Sequence, residues 1–174
     1  TGFDHVAHNC ATLVRAMNAI VENSPSSLEA SVHITEQVPE KLGSTVASVR
    51  DAAANASGLR ASTRAKTTFS MYPTFAEEEE TFGDHHVIVG IESHVCVVQT
   101  VLDLLTRDKK VFVCVDAVSS IRLEDRAVAL RRMERAGAGV HPRAGEPGGR
   151  AWGRGTAGRA AGTPKPRKSS GKAS

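Results

Sequence analysis

The side chains best placed to do chemistry lie in one stretch, Gly90-Ile91-Glu92-Ser93-His94-Val95-Cys96-Val97-Val98-Gln99-Thr100. An apolar run, His86–Gly90, precedes it and reads as a buried strand ending at the glycine. Cys96 opens a helix predicted over Cys96–Thr106, whose packing side carries Val97, Thr100, Val101, Leu104 and Leu105. In an open parallel sheet, ligands bind beyond the carboxyl ends of the strands. A thiol at a helix N-terminus there faces partial positive charge, which stabilises thiolate, the nucleophilic form. Backbone N–H groups at the same helix start suit a developing oxyanion. Spacing alone leaves a second reading open, in which Cys96 is a small buried hydrophobe. Cys10 and Cys114 fall inside a predicted helix and a predicted strand, where the core reading dominates.

Other candidates are weaker. His85 and His86 follow Asp84, but adjacent strand residues point to opposite faces and make poor co-ligands, so no metal is expected. No glycine-rich phosphate loop occurs, and no cofactor is expected. Three cysteines, an odd number without regular spacing, imply neither a disulfide framework nor a zinc knuckle. They fit a reducing, cytoplasmic compartment. The first residues lack a basic segment followed by an apolar one, so no signal peptide is expected. No apolar run approaches the roughly 18–20 residues needed to span a bilayer, so no membrane partner is expected.

The elements that must position Cys96 alternate between helix and strand. Asp4–Val21 has helical apolar spacing, and Asn23-Ser24-Pro25-Ser26-Ser27 breaks it. Ala30–Thr35 alternates as a strand, followed by a loop over Glu36–Ser44. Thr45–Ala56 reads as a helix and Leu59–Ala61 as a short strand. Thr74–Glu80 reads as a helix, with Glu77–Glu80 on a solvated face. Lys110–Val115 is a second buried strand, and Leu123–Arg135 is a helix closed by Gly137 and Gly139. This order predicts an α/β fold: an open, mainly parallel sheet with helices on both faces, three layers in a Rossmann-like arrangement.

Two segments differ in composition. The net charge of the chain is +3. Residues 141–174 carry eight Lys or Arg against one acid, Glu146, so the first 140 residues are mildly acidic. Eight Gly and four Pro fall in that tail, with almost no large apolar side chain except Trp152. Such a segment cannot bury enough surface to offset its ordering entropy, and it is expected to be disordered. The domains are thus 1–140, folded, and 141–174, a basic tail.

The stretch around Cys96 resembles the nucleophile segment of the isochorismatase-like cysteine hydrolases, in the branch of small isochorismatase domain-containing proteins. Three further segments agree in order. Thr35-Glu36-Gln37-Val38-Pro39-Glu40-Lys41-Leu42-Gly43-Ser44-Thr45 resembles that branch's loop after its second strand. Lys66-Thr67-Thr68-Phe69-Ser70-Met71 resembles its lysine motif. Val115-Asp116-Ala117-Val118-Ser119-Ser120 with Asp125-Arg126 resembles a later strand end and helix. The resemblance runs from about Phe3 to Val140.

The resemblance implies that Cys96 attacks an amide, ester or similar electrophilic carbon of a small molecule, with Lys66 beside it favouring thiolate by its positive charge. It implies an oxyanion site from the backbone N–H groups of Glu92 and Cys96, and a cis peptide at Ile91–Glu92. Gln37, Phe69 and His94 become candidate pocket-lining residues, and a homo-oligomer is expected. The family's catalytic Asp ends its first strand. That strand has no counterpart ahead of the first helix here, and Asp4 reads as a helix N-cap instead. The missing strand should leave apolar sheet edges exposed, and hydrolysis by the chain as written is expected to be weak or absent. Two alternatives remain at this point. One is a non-catalytic binding or scaffold protein on the same fold. The other is a nucleic-acid role of the ribonuclease type through the basic tail, which lacks the aromatic interleaving that base stacking requires.

Overall fold

The structure is a computed structural model that describes residues 3–24, 28–76 and 83–142. The expectations for the tail after Pro142 and for Glu77–Glu80 lie outside these residues. Helix α1 (Asp4–Glu22) leads into strand β1 (Ser31–Gln37), a single turn α2 (Pro39–Leu42), helix α3 (Ala47–Ala54) and strand β2 (Arg60–Lys66). The short α4 (Tyr72–Phe75) precedes strand β3 (His85–Ile91), a π-helical turn over Ser93–Val97, helix α5 (Val98–Leu105), strand β4 (Lys110–Ser119), helix α6 (Leu123–Ala136) and strand β5 (Gly139–His141). Asp4 lies in the first turn of α1, one residue past the N-cap position held by Phe3.

Every strand pairing is parallel, as an alternation of helix and strand requires, and the sheet is in two pieces. β1 pairs with β2 from Ser31↔Arg60 to Gln37↔Lys66. β3 pairs with β4, and β4 with β5. No ladder joins β1 to β3 among the described residues.

Helices cover both faces. On one face α1 packs on α3 through Ala11, Val14, Ala52 and Ala56, a stripe of small side chains that allows close approach. Nearer the start of α1, Val6 and Cys10 pack against Cys114 and Ala117 of β4. On the other face Val98, Val101 and Leu104 of α5 and Met133 of α6 meet Val111, Val113 and Val118 of β4. Burial fixes this face, since Val101, Val113 and Met133 are fully buried.

Several boundaries differ from the sequence expectations. β2 runs seven residues rather than three, because its polar, partly exposed residues are held by the ladder to β1 and not by apolar burial. β4 extends through Ser119, following a register shift in β3 between Ile88 and Gly90. Gly90 sits there at φ +120, a conformation that L side chains rarely adopt, so the glycine is required at this irregularity. The strand β5 was not foreseen: its three residues are too few for periodicity to detect. One turn of helix, α2, also stands where a plain loop was expected.

Candidate active site

The site is built where β1, β2 and β3 end together. The β1–β2 register places Gln37 level with Lys66, the last residue of each strand. The Lys66 side chain is buried, with the residue 8% exposed. Its Nζ donates to Gln37 Oε1 at 2.5 Å, to the Thr68 carbonyl at 2.8 Å and to the Phe69 carbonyl at 2.9 Å. Its fourth neighbour is Cys96 Sγ, at 3.7 Å. Three short bonds to uncharged oxygens thus fix the ammonium, and a fixed ammonium faces the sulfur. Among the described residues no Asp or Glu pairs with Lys66.

Gln37 is itself anchored, donating from Nε2 to the Thr67 carbonyl at 3.0 Å. The next residue, Val38, adopts φ 42, uncommon for a β-branched side chain, and its N–H donates to the Lys66 carbonyl at 3.0 Å. Glu36 pins the following loop by accepting the Thr45 N–H at 2.7 Å. That bond holds its carboxyl below the ordinary carboxylate range.

Cys96 lies on the π-helical turn between the end of β3 and α5, partly exposed. The turn replaces the first part of the expected regular helix, a local form common at functional sites. Ile91–Glu92 is a cis peptide, as the resemblance implied. The Glu92 carbonyl accepts the N–H groups of Val95 and Val97, which holds the turn closed. Thr100 fastens it from below: its hydroxyl donates to the Cys96 carbonyl at 2.8 Å and accepts the Met71 N–H at 3.0 Å. The lysine loop and the cysteine turn are therefore tied at two points, through Thr100 and through the Lys66–Cys96 contact.

The remaining candidates take separate places. Phe69 contributes its carbonyl to Lys66, while its side chain is 59% exposed at the rim. His94 turns away from Lys66 to Ser120 Oγ at 3.0 Å, with Glu92 Oε2 at 3.7 Å. Glu92 also accepts the Ile121 N–H at 3.0 Å, joining the cysteine turn to the β4–α6 loop. Arg126 braces that loop from α6, donating to the carbonyls of Val118 and Val115. Sequence reasoning missed Thr100 and Ser120 as parts of this framework. Thr100 sits four residues after Cys96, a helical spacing that lets a hydroxyl reach back to that carbonyl. Ser93 is fully buried, and its hydroxyl has no hydrogen-bond partner among the described residues.

The other two thiols differ from Cys96. Cys10 is buried against β4, and burial together with the Asp116 carboxylate pushes its pKa up to about 11. Cys114 is fully buried and donates to Asp116 Oδ1 at 3.1 Å. No group of three or more His, Cys, Asp or Glu among the described residues converges as a metal site.

The isochorismatase domain profile matches residues 3–144. The chain belongs to the isochorismatase family. Isochorismatase domain-containing protein 2 from Homo sapiens is 42% identical over 113 residues, which cover 64% of this chain and 52% of that protein. The Xenopus laevis protein of the same name is 43% identical over 114 residues, again 64% of this chain and 52% of the relative. The chain spans about half the length of the curated relatives it matches. Among solved structures, the MAR1 ribonuclease from Caenorhabditis elegans superposes with a TM-score of 0.62 at 36% identity, covering 77% of this chain and 64% of that one. The nicotinamidase PncA from Bacillus subtilis, 16% identical with a TM-score of 0.55 and coverage of 76% and 84%, shares the fold. The chain therefore has the three-layer α/β fold of isochorismatase-family hydrolases. No described helix is long and apolar enough to cross a membrane.

Proposed function

We propose that this isochorismatase-family chain carries a cysteine hydrolase site in which Cys96 is the nucleophile and Lys66 its cationic partner. The observation that carries the reading is the buried Lys66 ammonium, fixed by three oxygens and set 3.7 Å from the Cys96 sulfur. A cation held this way sets positive charge beside the sulfur that would attack. The thiolate would add to the carbonyl carbon of a small amide or ester and expel its amine or alcohol, leaving a thioester on Cys96; a vinyl-ether-type substrate offers the sulfur no such carbon. The negative charge formed on oxygen would meet the N–H groups of Glu92 and Cys96. Gln37 serves the site by fixing Lys66 and Phe69 by its exposed ring at the rim, while the proposed pocket role of His94 requires its ring to leave Ser120. Assembly into a homo-oligomer belongs to the same proposal.

Hydrolysis of that thioester needs a proton acceptor for the attacking water. Among the described residues no carboxylate pairs with Lys66, so residues 1–174 are expected to form the acyl-enzyme and turn over slowly or not at all. The test is iodoacetamide labelling near neutral pH with peptide mapping. Preferential alkylation of Cys96 over Cys10 and Cys114 supports the nucleophile. A Cys96 as inert as the two buried thiols favours a non-catalytic scaffold. On p-nitrophenyl acetate, rapid steady turnover abolished by Cys96→Ala would refute the slow-turnover part alone.

A further inference from the structure

Arg126 and the Glu92 carboxylate take no part in the attack by Cys96, yet both are joined to its turn. Between two pairings of β3 with β4 the strands advance unequally. β3 moves from Ile88 to Gly90 while β4 moves from Val113 to Val118. β4 therefore bulges through Cys114–Ala117, which takes backbone groups out of the β3 ladder. One guanidinium closes the bulge. Arg126 of α6 donates from Nε to the Val118 carbonyl and from Nη2 to the Val115 carbonyl. From the opposite face of the sheet, Asn9 of α1 donates to the Asp116 carbonyl. Pairing with β3 resumes at Gly90↔Val118 and Ile91↔Ser119, which sets Ser120 and Ile121 beside Glu92.

Two side chains of the cysteine turn use that loop. Glu92 Oε2 accepts the Ile121 N–H at 3.0 Å, and His94 Nδ1 shares a hydrogen bond with Ser120 Oγ at 3.0 Å. A carboxylate at the head of a helical turn ordinarily folds back onto the turn's own N–H groups. Glu92 heads the turn over Ser93–Val97, yet its side chain makes no such bond. It reaches outward to the β4–α6 loop instead. The backbone N–H groups of Glu92 and Cys96 are the ones that would meet the oxyanion. A carboxylate folded back would set negative charge where the oxyanion forms.

We propose that Glu92 is a positioning residue. Latched to the Ile121 N–H across a bulge that Arg126 holds, its side chain fixes the oxyanion N–H groups and keeps its own charge away from them. This rests on the reading of Cys96 as a nucleophile. Oxyanion donors act at about 2.7–3.1 Å, and a misplacement of about 1 Å costs about a hundredfold in rate. The His94–Ser120 bond is a second tie to the same loop, so loss of the Glu92 tie alone costs less, about tenfold.

The test compares two reactions of Cys96 in the full chain near neutral pH. With p-nitrophenyl acetate the sulfur adds to the carbonyl carbon through a tetrahedral oxyanion, expels p-nitrophenolate and keeps the acetyl group as a thioester. With iodoacetamide the same sulfur displaces iodide, and no oxyanion forms. Only the first reaction needs placed N–H donors. Both adducts are followed over time by peptide mapping of Cys96. Glu92→Ala is expected to slow acetylation about tenfold or more and to leave alkylation within about twofold. Glu92→Gln keeps an oxygen acceptor for the Ile121 N–H and restores acetylation to within about threefold of the wild type. Arg126→Met, which frees both β4 carbonyls, reproduces the selective loss. Glu92 is partly exposed, so its variants decide the matter even where Arg126→Met does not fold.

Unchanged acetylation in Glu92→Ala overturns the inference. Equal losses in both reactions overturn it, since they mark a general disturbance of the turn. A Glu92→Gln as slow as Glu92→Ala overturns it by placing the effect in the charge. A wild type that alkylates but does not acetylate overturns it too. In each of these outcomes wild-type Cys96 still reacts, and the nucleophile reading stands. A wild-type Cys96 inert to iodoacetamide overturns both.

Discussion

Replacing Lys66 with Met removes the charge and keeps the length and bulk of the stem. The ammonium makes three hydrogen bonds at 2.5, 2.8 and 2.9 Å. A hydrogen bond to a charged group contributes about 1.5–3 kcal/mol, yet the three are not simply added. Burying the ammonium itself costs several kcal/mol, roughly, and Met relieves that cost. Thr68 and Phe69 are exposed residues whose carbonyls can turn to water, so only part of the cost of orphaned acceptors, about 1–3 kcal/mol each, is felt. The expected net destabilisation of Lys66→Met is about 2–4 kcal/mol. Urea denaturation reads it: with a slope of about 1–3 kcal/mol/M, the midpoint falls by roughly 0.7–4 M. Cys96→Ala removes the longest contact of the four, at 3.7 Å, and should cost no more than about 1 kcal/mol. A double-mutant cycle should then show coupling below about 1 kcal/mol. A Lys66→Met protein within about 0.5 kcal/mol of the wild type would mark Lys66 as an ordinary solvated lysine and refute the reasoning.

Gly90→Ala places a side chain at φ +120 and should cost about 1–3 kcal/mol, read as a lower melting temperature, although no neighbouring atom obstructs a Cβ there. Ser93→Ala removes a buried hydroxyl without a described partner and should be neutral or stabilising; a loss above about 1 kcal/mol would show that the hydroxyl is bonded. Burial is the first cause lowering the pKa of both His33 and His86, with nearby Arg64 and Arg60 acting on the first and Lys109 on the second. Both stay neutral in the folded chain where the unfolded chain would take up protons. Stability is therefore full above the ordinary histidine value of about 6.5, falls as pH drops from there towards the lowered folded values, and levels off below them. Urea midpoints between neutral pH and pH 5 check this, and a double His33→Gln, His86→Gln variant should flatten the fall.

The fold class was legible because burial and periodicity agree in α1, α5, α6 and β4. The lower half of the site was harder to read. Arg60–Lys66 carries little apolar content, so its strand character comes from pairing with β1, a non-local fact that no periodicity records. That same ladder sets Lys66 level with Gln37 and makes a lysine that looks solvated in sequence a buried cation. The position of Cys96 after a strand was visible, although that strand is buried only at Ile88, with Val87 and Ile91 exposed; the π-helical turn that carries Cys96 was not visible. The resemblance supplied the cis peptide and the pairing of Lys66 with Cys96, neither of which follows from spacing. It also led to the expectation of exposed sheet edges.

The most direct measurement is the rate of Cys96 alkylation by iodoacetamide near neutral pH, site by site, in the wild type and in Lys66→Met. The account predicts that Cys96 reacts while Cys10 and Cys114 stay protected, and that loss of the ammonium slows Cys96 by about tenfold or more, equivalent to roughly 1.4 kcal/mol. A Cys96 that reacts no faster than the buried thiols, or at an unchanged rate without Lys66, would contradict it.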